Sequence, residues 1–177
     1  MLLLVLPAGH AQAQDEPLQR VRTDSRYLRL VLASGIDRSP TFRRIVDQLE
    51  HSDLIVEVQC AHFAASQLAG RTVLLTAQPG VRYVLVEIAC WSPSCPRLEI
   101  LGHELRHALE IAEEPWVVDS VSLAELYRGI AFRSEREGLS RTFGQFETED
   151  ALDAGERIHR ELHHPEDSTR VARNTTK

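Results

Sequence analysis

The spacing of apolar residues changes along the chain, and each change marks a structural element. In SPTFRRIVDQLEHSD, Phe42, Ile45, Val46 and Leu49 recur at helical spacing. Ser39 stands as the N-cap, with Pro40 at the first helical position. DLIVEVQC (53–60) is then a β-branched strand. RTVLLTAQ (71–78) and VRYVLVEIAC (81–90) follow as an antiparallel hairpin across the turn pair Pro79–Gly80. From Pro96 to about Glu114 the spacing is helical again, and Pro115 stops it. DSVSLAELYRGIA starts another helix, with Ser120 or Ser122 as its cap, and residues 147–164 form a last one. Strands followed by helices predict an α+β fold. Its sheet should be small, three- to four-stranded and mainly antiparallel, with helices packed on one face.

The remaining segments set the domain limits. YLRLVLAS (27–34) reads as a short strand or the turn before a helix, and the polar stretch before it as an irregular start. We therefore expect residues 14–38 to be a linker or irregular segment, 39–164 a single domain, and 165–177 a disordered polar tail. Residues 133–145, with their charge and two glycines, read as a loop. The apolar run Leu2–Leu6 and the small-residue site Ala11–Gln12–Ala13 resemble a secretory signal peptide over residues 1–13. Export to a periplasmic or extracellular compartment is the expectation. There Cys60, Cys90 and Cys95 allow one pair, with Cys90–Cys95 and Cys60–Cys90 both open. Asn174–Thr175–Thr176 fits a glycosylation sequon in the tail.

Composition narrows the partners. The chain has 177 residues, 43% hydrophobic and 26% charged, as in an ordinary folded domain. A formal net charge of −6 with no basic stripe argues against nucleic acid. No stretch approaches the length of a membrane span.

The candidate chemistry lies in LGHELRHALE (101–110). On a helical wheel Leu101, Leu105, Ala108, Leu109 and Ala112 form an apolar face. His103, His107, Glu110 and Glu114 line the opposite side, with Glu104 at its edge. Imidazoles four residues apart stand one turn above the other and can reach one ion. Zinc accepts such nitrogens in a tetrahedral site with an open position. Glu104 then stands where it can take a proton from water at that position. A charged, solvated helix face produces the same wheel, so a chance pentad is the competing reading.

HELRH on an amphipathic helix after a β-hairpin resembles the active-site helix of the zincin metallopeptidases. The stretch LGHELRHALEIAEEPWVVD…LAELYRGI also resembles small exported bacterial proteins with a minimal zincin core. The resemblance runs from about Ser39 to Leu162, and only the pentad in it is specific. It implies zinc as cofactor, His103 and His107 as ligands, Glu104 as general base, and a peptide or protein substrate. The metzincin extension needs glycine at 110 and histidine at 113; Glu110 and Glu113 stand there and exclude that subclass. Glu110, seven residues after His103, lies about 10 Å along the axis, too far for one ion to collect all three. The gluzincin subclass takes its third ligand, a glutamate, from a later helix. Glu147, with Ala151 after it, resembles that motif and is the expected third ligand, ahead of Glu149.

Other residues carry weaker signals. Asp119 could orient a ligand histidine or cap the next helix, and capping is the commoner role. Tyr127 could stabilise an oxyanion or simply be half buried on its helix. His159, His163 and His164 read as solvated. Two functions stand against each other: a zinc metallopeptidase that holds an extended peptide along a sheet edge, and a zincin-fold binding or structural module without catalysis. The second gains from the short chain, which leaves little material to wall a cleft.

Overall fold

The computed structural model describes residues 18–63, 68–91, 97–130 and 147–164. Among them are four strands and five helices: β1 (Val21–Arg22), α1 (Arg26–Arg38), α2 (Pro40–Glu50), β2 (Leu54–Cys60), β3 (Gly70–Gln78), β4 (Val81–Ile88), α3 (Arg97–Glu113), α4 (Ser120–Ile130) and α5 (Glu149–His163). The fold is α+β. The expected signal segment, the loop at 133–145, Cys95 and the tail with its sequon lie outside the described residues.

The sheet is mixed, not mainly antiparallel. Its order is β1-β2-β4-β3. Only the hairpin β3–β4 is antiparallel; β1–β2 and β2–β4 are parallel. Two physical causes explain the difference. The helices α1 and α2 intervene between β1 and β2, and a helical crossover returns the chain in the same direction. In β4, Val84, Val86 and Ile88 are all fully buried, which suits a central strand, whereas β3 buries little and takes the edge. The Pro79–Gly80 turn forms as expected, with Gly80 at φ +80°.

The start of the domain also differs from expectation. Part of the segment expected to be a linker, 14–38, is strand β1 and helix α1. Ser25 caps α1 by accepting from the Leu28 N–H at 3.3 Å. Leu28 and Leu32 are buried in the core. Leu28, Leu30 and Leu32 alternate as a strand would, and this masked the i, i+4 pair that matters. The Glu50 carboxylate accepts from the backbone N–H groups of Arg20 and Val21 and so anchors β1.

One sheet face is buried. Leu54, Val56 and Val58 of β2 alternate inward, in register with Arg82, Val84 and Val86 of β4. On β3 the same register row carries Thr72 opposite Val86 and Gly70 opposite Ile88. Helix α3 lies over β3 and β4 and is flanked by α2 and α5. Gly102 allows the α3–α5 approach, since a Cβ there would stand 2.0 Å from Ile158 Cδ1. Gly155 of α5, by contrast, leaves ordinary contact distances, the nearest being 3.5 Å. The buried stripe of α5 is Ala151, Ala154 and Ile158, whereas Leu152 is exposed. Cys60 and Cys90 are joined by a disulfide, Cα–Cα 5.4 Å, which ties the ends of neighbouring strands. No helix among the described residues is long and apolar enough to cross a membrane.

Candidate metal centre

Helix α3 carries the pentad in the middle of its length, and its polar side is not solvated. Glu104, His107 and Glu110 are buried, at 6%, 5% and 4% exposure. The wheel placed these residues opposite the apolar face correctly. It could not show that the rest of the fold closes over that side as well. Tyr127 of α4, itself buried, meets the His107 ring edge-on at 5.8 Å between centroids.

Glu147 comes to the histidines. Its Oε1 lies 3.0 Å from Nε2 of His103 and 3.5 Å from Nε2 of His107. The three donor atoms all lie within 4.8 Å of one another. For zinc–ligand bonds of about 2.0–2.1 Å, ligand atoms of a tetrahedron stand about 3.3 Å apart. The two distances to Glu147 bracket that edge length. Glu147 does not open α5, as expected from sequence; it stands one residue before the N-cap, Thr148. Thr148 Oγ1 accepts from the Ala151 N–H at 3.1 Å and donates to Glu110 Oε1 at 2.6 Å.

Glu110 is the residue whose role sequence reasoning missed. It faces the other nitrogen of His107: Glu110 Oε2 is 2.9 Å from Nδ1. A chain thus runs from the α5 cap through Thr148 and Glu110 to His107. It fixes the imidazole and the approach of Glu147 together. The available signal was the i, i+3 spacing of His107 and Glu110, which places the two on one helix face. Glu149 is exposed in the first turn of α5. Asp119 is a cap: its Oδ1 accepts from the N–H groups of Val121 and Ser122.

Glu104 points toward the edge strand. Its Oε2 accepts from Thr72 Oγ1 at 2.8 Å, and the same hydroxyl lies 2.9 Å from the Glu104 carbonyl. A Cβ at Gly70 would stand 2.6 Å from Glu104 Oε1 and 2.7 Å from Cγ, so only glycine leaves room for this side chain. The inward register positions of β3 are thus shaped around the glutamate.

Among the described residues the formal charges of the cluster do not balance. Three carboxylates, Glu104, Glu110 and Glu147, surround two imidazoles, while the nearby Arg106 turns to Glu113 and Asp150. If His107 donates Nδ1–H to Glu110, its Nε2 lone pair faces a carboxylate oxygen, and the contact needs a cation between them or a proton. Without a metal, protons take that part. Burial opposes charge on His107, but its bonds to Glu110 and Glu147 and the field of Glu104 prevail and push its pKa up to about 9. Burial also raises Glu147, yet the two histidines outweigh it and pull its pKa down to about 2. Burial holds the Glu104 carboxyl above its ordinary range, against the imidazoles and Thr72.

A further group lies on the same helix pair. Glu99 of α3 meets His159 and His163 of α5, two residues read from sequence as solvated. Comparison with known proteins gives no relative: no family model, no curated protein and no solved structure matches the chain.

Proposed function

We propose that the chain is a zinc-dependent hydrolase, a metallopeptidase of the zincin type, with His103, His107 and Glu147 as zinc ligands. The observation that carries this reading is the convergence of the two Nε2 atoms on one Glu147 carboxylate oxygen, at 3.0 and 3.5 Å. Zinc held there supplies Lewis acidity, polarising a carbonyl and making water acidic near neutral pH. Glu110 holds the His107 ring by Nδ1, and Thr148 holds Glu110. Glu104 is the general base. Its raised proton affinity suits it to take a proton from water and return it to a leaving amine. Strand β3, at the sheet edge beside Glu104, offers backbone groups to an extended peptide. The Cys60–Cys90 disulfide supports an exported protein, because such bonds persist in oxidising compartments.

One observation favours a second reading, a catalytically silent zinc-holding module: the Glu104 carboxylate is buried and already bonded to Thr72. Turnover separates the two. The zinc-loaded chain is incubated with a quenched fluorescent peptide library. Cleavage that is lost in Glu104→Gln, with zinc retained, supports the peptidase. Zinc bound at this cluster without any cleavage supports the silent module.

A further inference from the structure

The second group is built differently from the first. His159 and His163 stand four residues apart near the C-terminal end of α5, one turn above the other. Their rings lie 4.5 Å apart between centroids. Nδ1 of His159 and Nε2 of His163 converge on a single oxygen, Glu99 Oε1, at 3.2 and 3.3 Å. Both distances lie at the long end of the hydrogen-bond range and match the roughly 3.3 Å edge of a zinc tetrahedron. The Glu99 side chain is 12% exposed, whereas the histidines are 56% and 55% exposed. The carboxylate is therefore fixed in the fold, and the imidazoles close over it from the solvent side.

The group is separate from the candidate centre. Glu99 lies one helical turn before His103 on α3, and His159 lies ten residues after Glu149, the first residue of α5, about 15 Å along that helix. None of its three residues is shared with the first cluster.

We propose that Glu99, His159 and His163 form a second metal site, which takes a borderline divalent cation of the zinc type. Two imidazoles and one carboxylate select such an ion over calcium or magnesium, which prefer all-oxygen sites. The ion joins the first turn of α3 to the last turns of α5. It pins the helix at whose other end Glu147 stands.

The test uses the untagged full chain, stripped of metal and titrated with zinc alone, with bound metal counted by equilibrium dialysis. The wild type takes two equivalents. The His159→Ala/His163→Ala variant, altered only at exposed side chains, takes one. The His103→Ala/His107→Ala variant also takes one, and zinc then shifts the ring resonances of His159 and His163. Glu99→Gln weakens this equivalent by more than about tenfold. A wild type that binds one equivalent, unchanged in His159→Ala/His163→Ala, overturns the second site and leaves the first standing. One equivalent that survives His103→Ala/His107→Ala and disappears in His159→Ala/His163→Ala keeps this site and removes the first.

Discussion

Helix α3 meets buried charge in two places, and the two are handled in opposite ways. At its C-terminal end the Arg82 guanidinium, with its side chain 3% exposed, is saturated. Nε and Nη2 donate to Asp53 at 2.7 Å each, and Nη1 donates to the carbonyls of Ile111, Glu114 and Val117. One cation meets one carboxylate and the carbonyls of the helix end and of the turn that follows it, where the dipole is negative. In the middle of the helix, His103, His107 and Glu147 meet beside Glu104 and Glu110, and among the described residues no Arg or Lys side chain pairs with Glu104, Glu110 or Glu147. Both clusters are hydrogen-bonded, since no buried side-chain polar atom among the described residues lacks a partner. Charge is what separates them. A closed ion pair serves the fold, whereas acceptors gathered around one point are what the proposed metal site requires.

This contrast can be broken at either end. The largest expected effect on the fold is at Arg82. Arg82→Met removes the buried partner of Asp53 and a donor shared by the carbonyls of Ile111, Ala112, Glu114 and Val117, and should lower the unfolding free energy by about 3 kcal/mol, read by urea denaturation. Zinc stoichiometry of the folded fraction should not change. If it falls in step with stability, the two regions are not separate. Next is Glu110→Gln, which removes the carboxylate behind His107. Zinc affinity should fall about 10–100-fold in a competition titration, with a smaller change in stability than at Arg82. An unchanged affinity would deny Glu110 its orienting role.

Smaller effects sharpen the picture. Gly70→Ala pushes a methyl group into Glu104 and should cost about 1–3 kcal/mol, while zinc is retained. Loss of zinc in that variant would couple the base to the ligands more tightly than the geometry implies. Asp53→Asn is smallest at neutral pH, about 1 kcal/mol or less, because Asp53 is partly exposed. Its effect lies in the pH dependence. The hydrogen bond from Arg82 holds Asp53 below its ordinary value of 3.8, with burial acting against it. A depressed carboxylate contributes stability above its unfolded value and loses it as pH falls through the folded one. The wild type should therefore lose this increment below about pH 4, and Asp53→Asn should show a shallower acid decline.

What the sequence disclosed, and what it hid, follows from the range of each interaction. Helix α2 was legible because its cap, Pro40 and the spacing of Phe42, Ile45, Val46 and Leu49 are all local. The hairpin was legible from Pro79–Gly80. Which strand lies beside β2 was not, because that depends on how β4 competes with β3 for the centre of the sheet. The pentad pointed to a face of α3, but not to its burial. The meeting of Glu147 with the histidines was expected from family resemblance and helix geometry. The Thr148–Glu110 link that places it spans 38 residues and left no local trace. Glu99 and His159 stand 60 residues apart, and neither residue alone marks a site.

The central claim is that His103, His107 and Glu147 hold one divalent ion. The most direct test is zinc content by equilibrium dialysis of the untagged chain in a His159→Ala/His163→Ala background, so that only this cluster is counted. The account predicts one zinc per chain, lost on adding His103→Ala or His107→Ala, strongly weakened by Glu147→Gln, and kept with Glu104→Ala or Glu149→Gln. Full zinc retention after His107→Ala, or no zinc in the background chain, would contradict it.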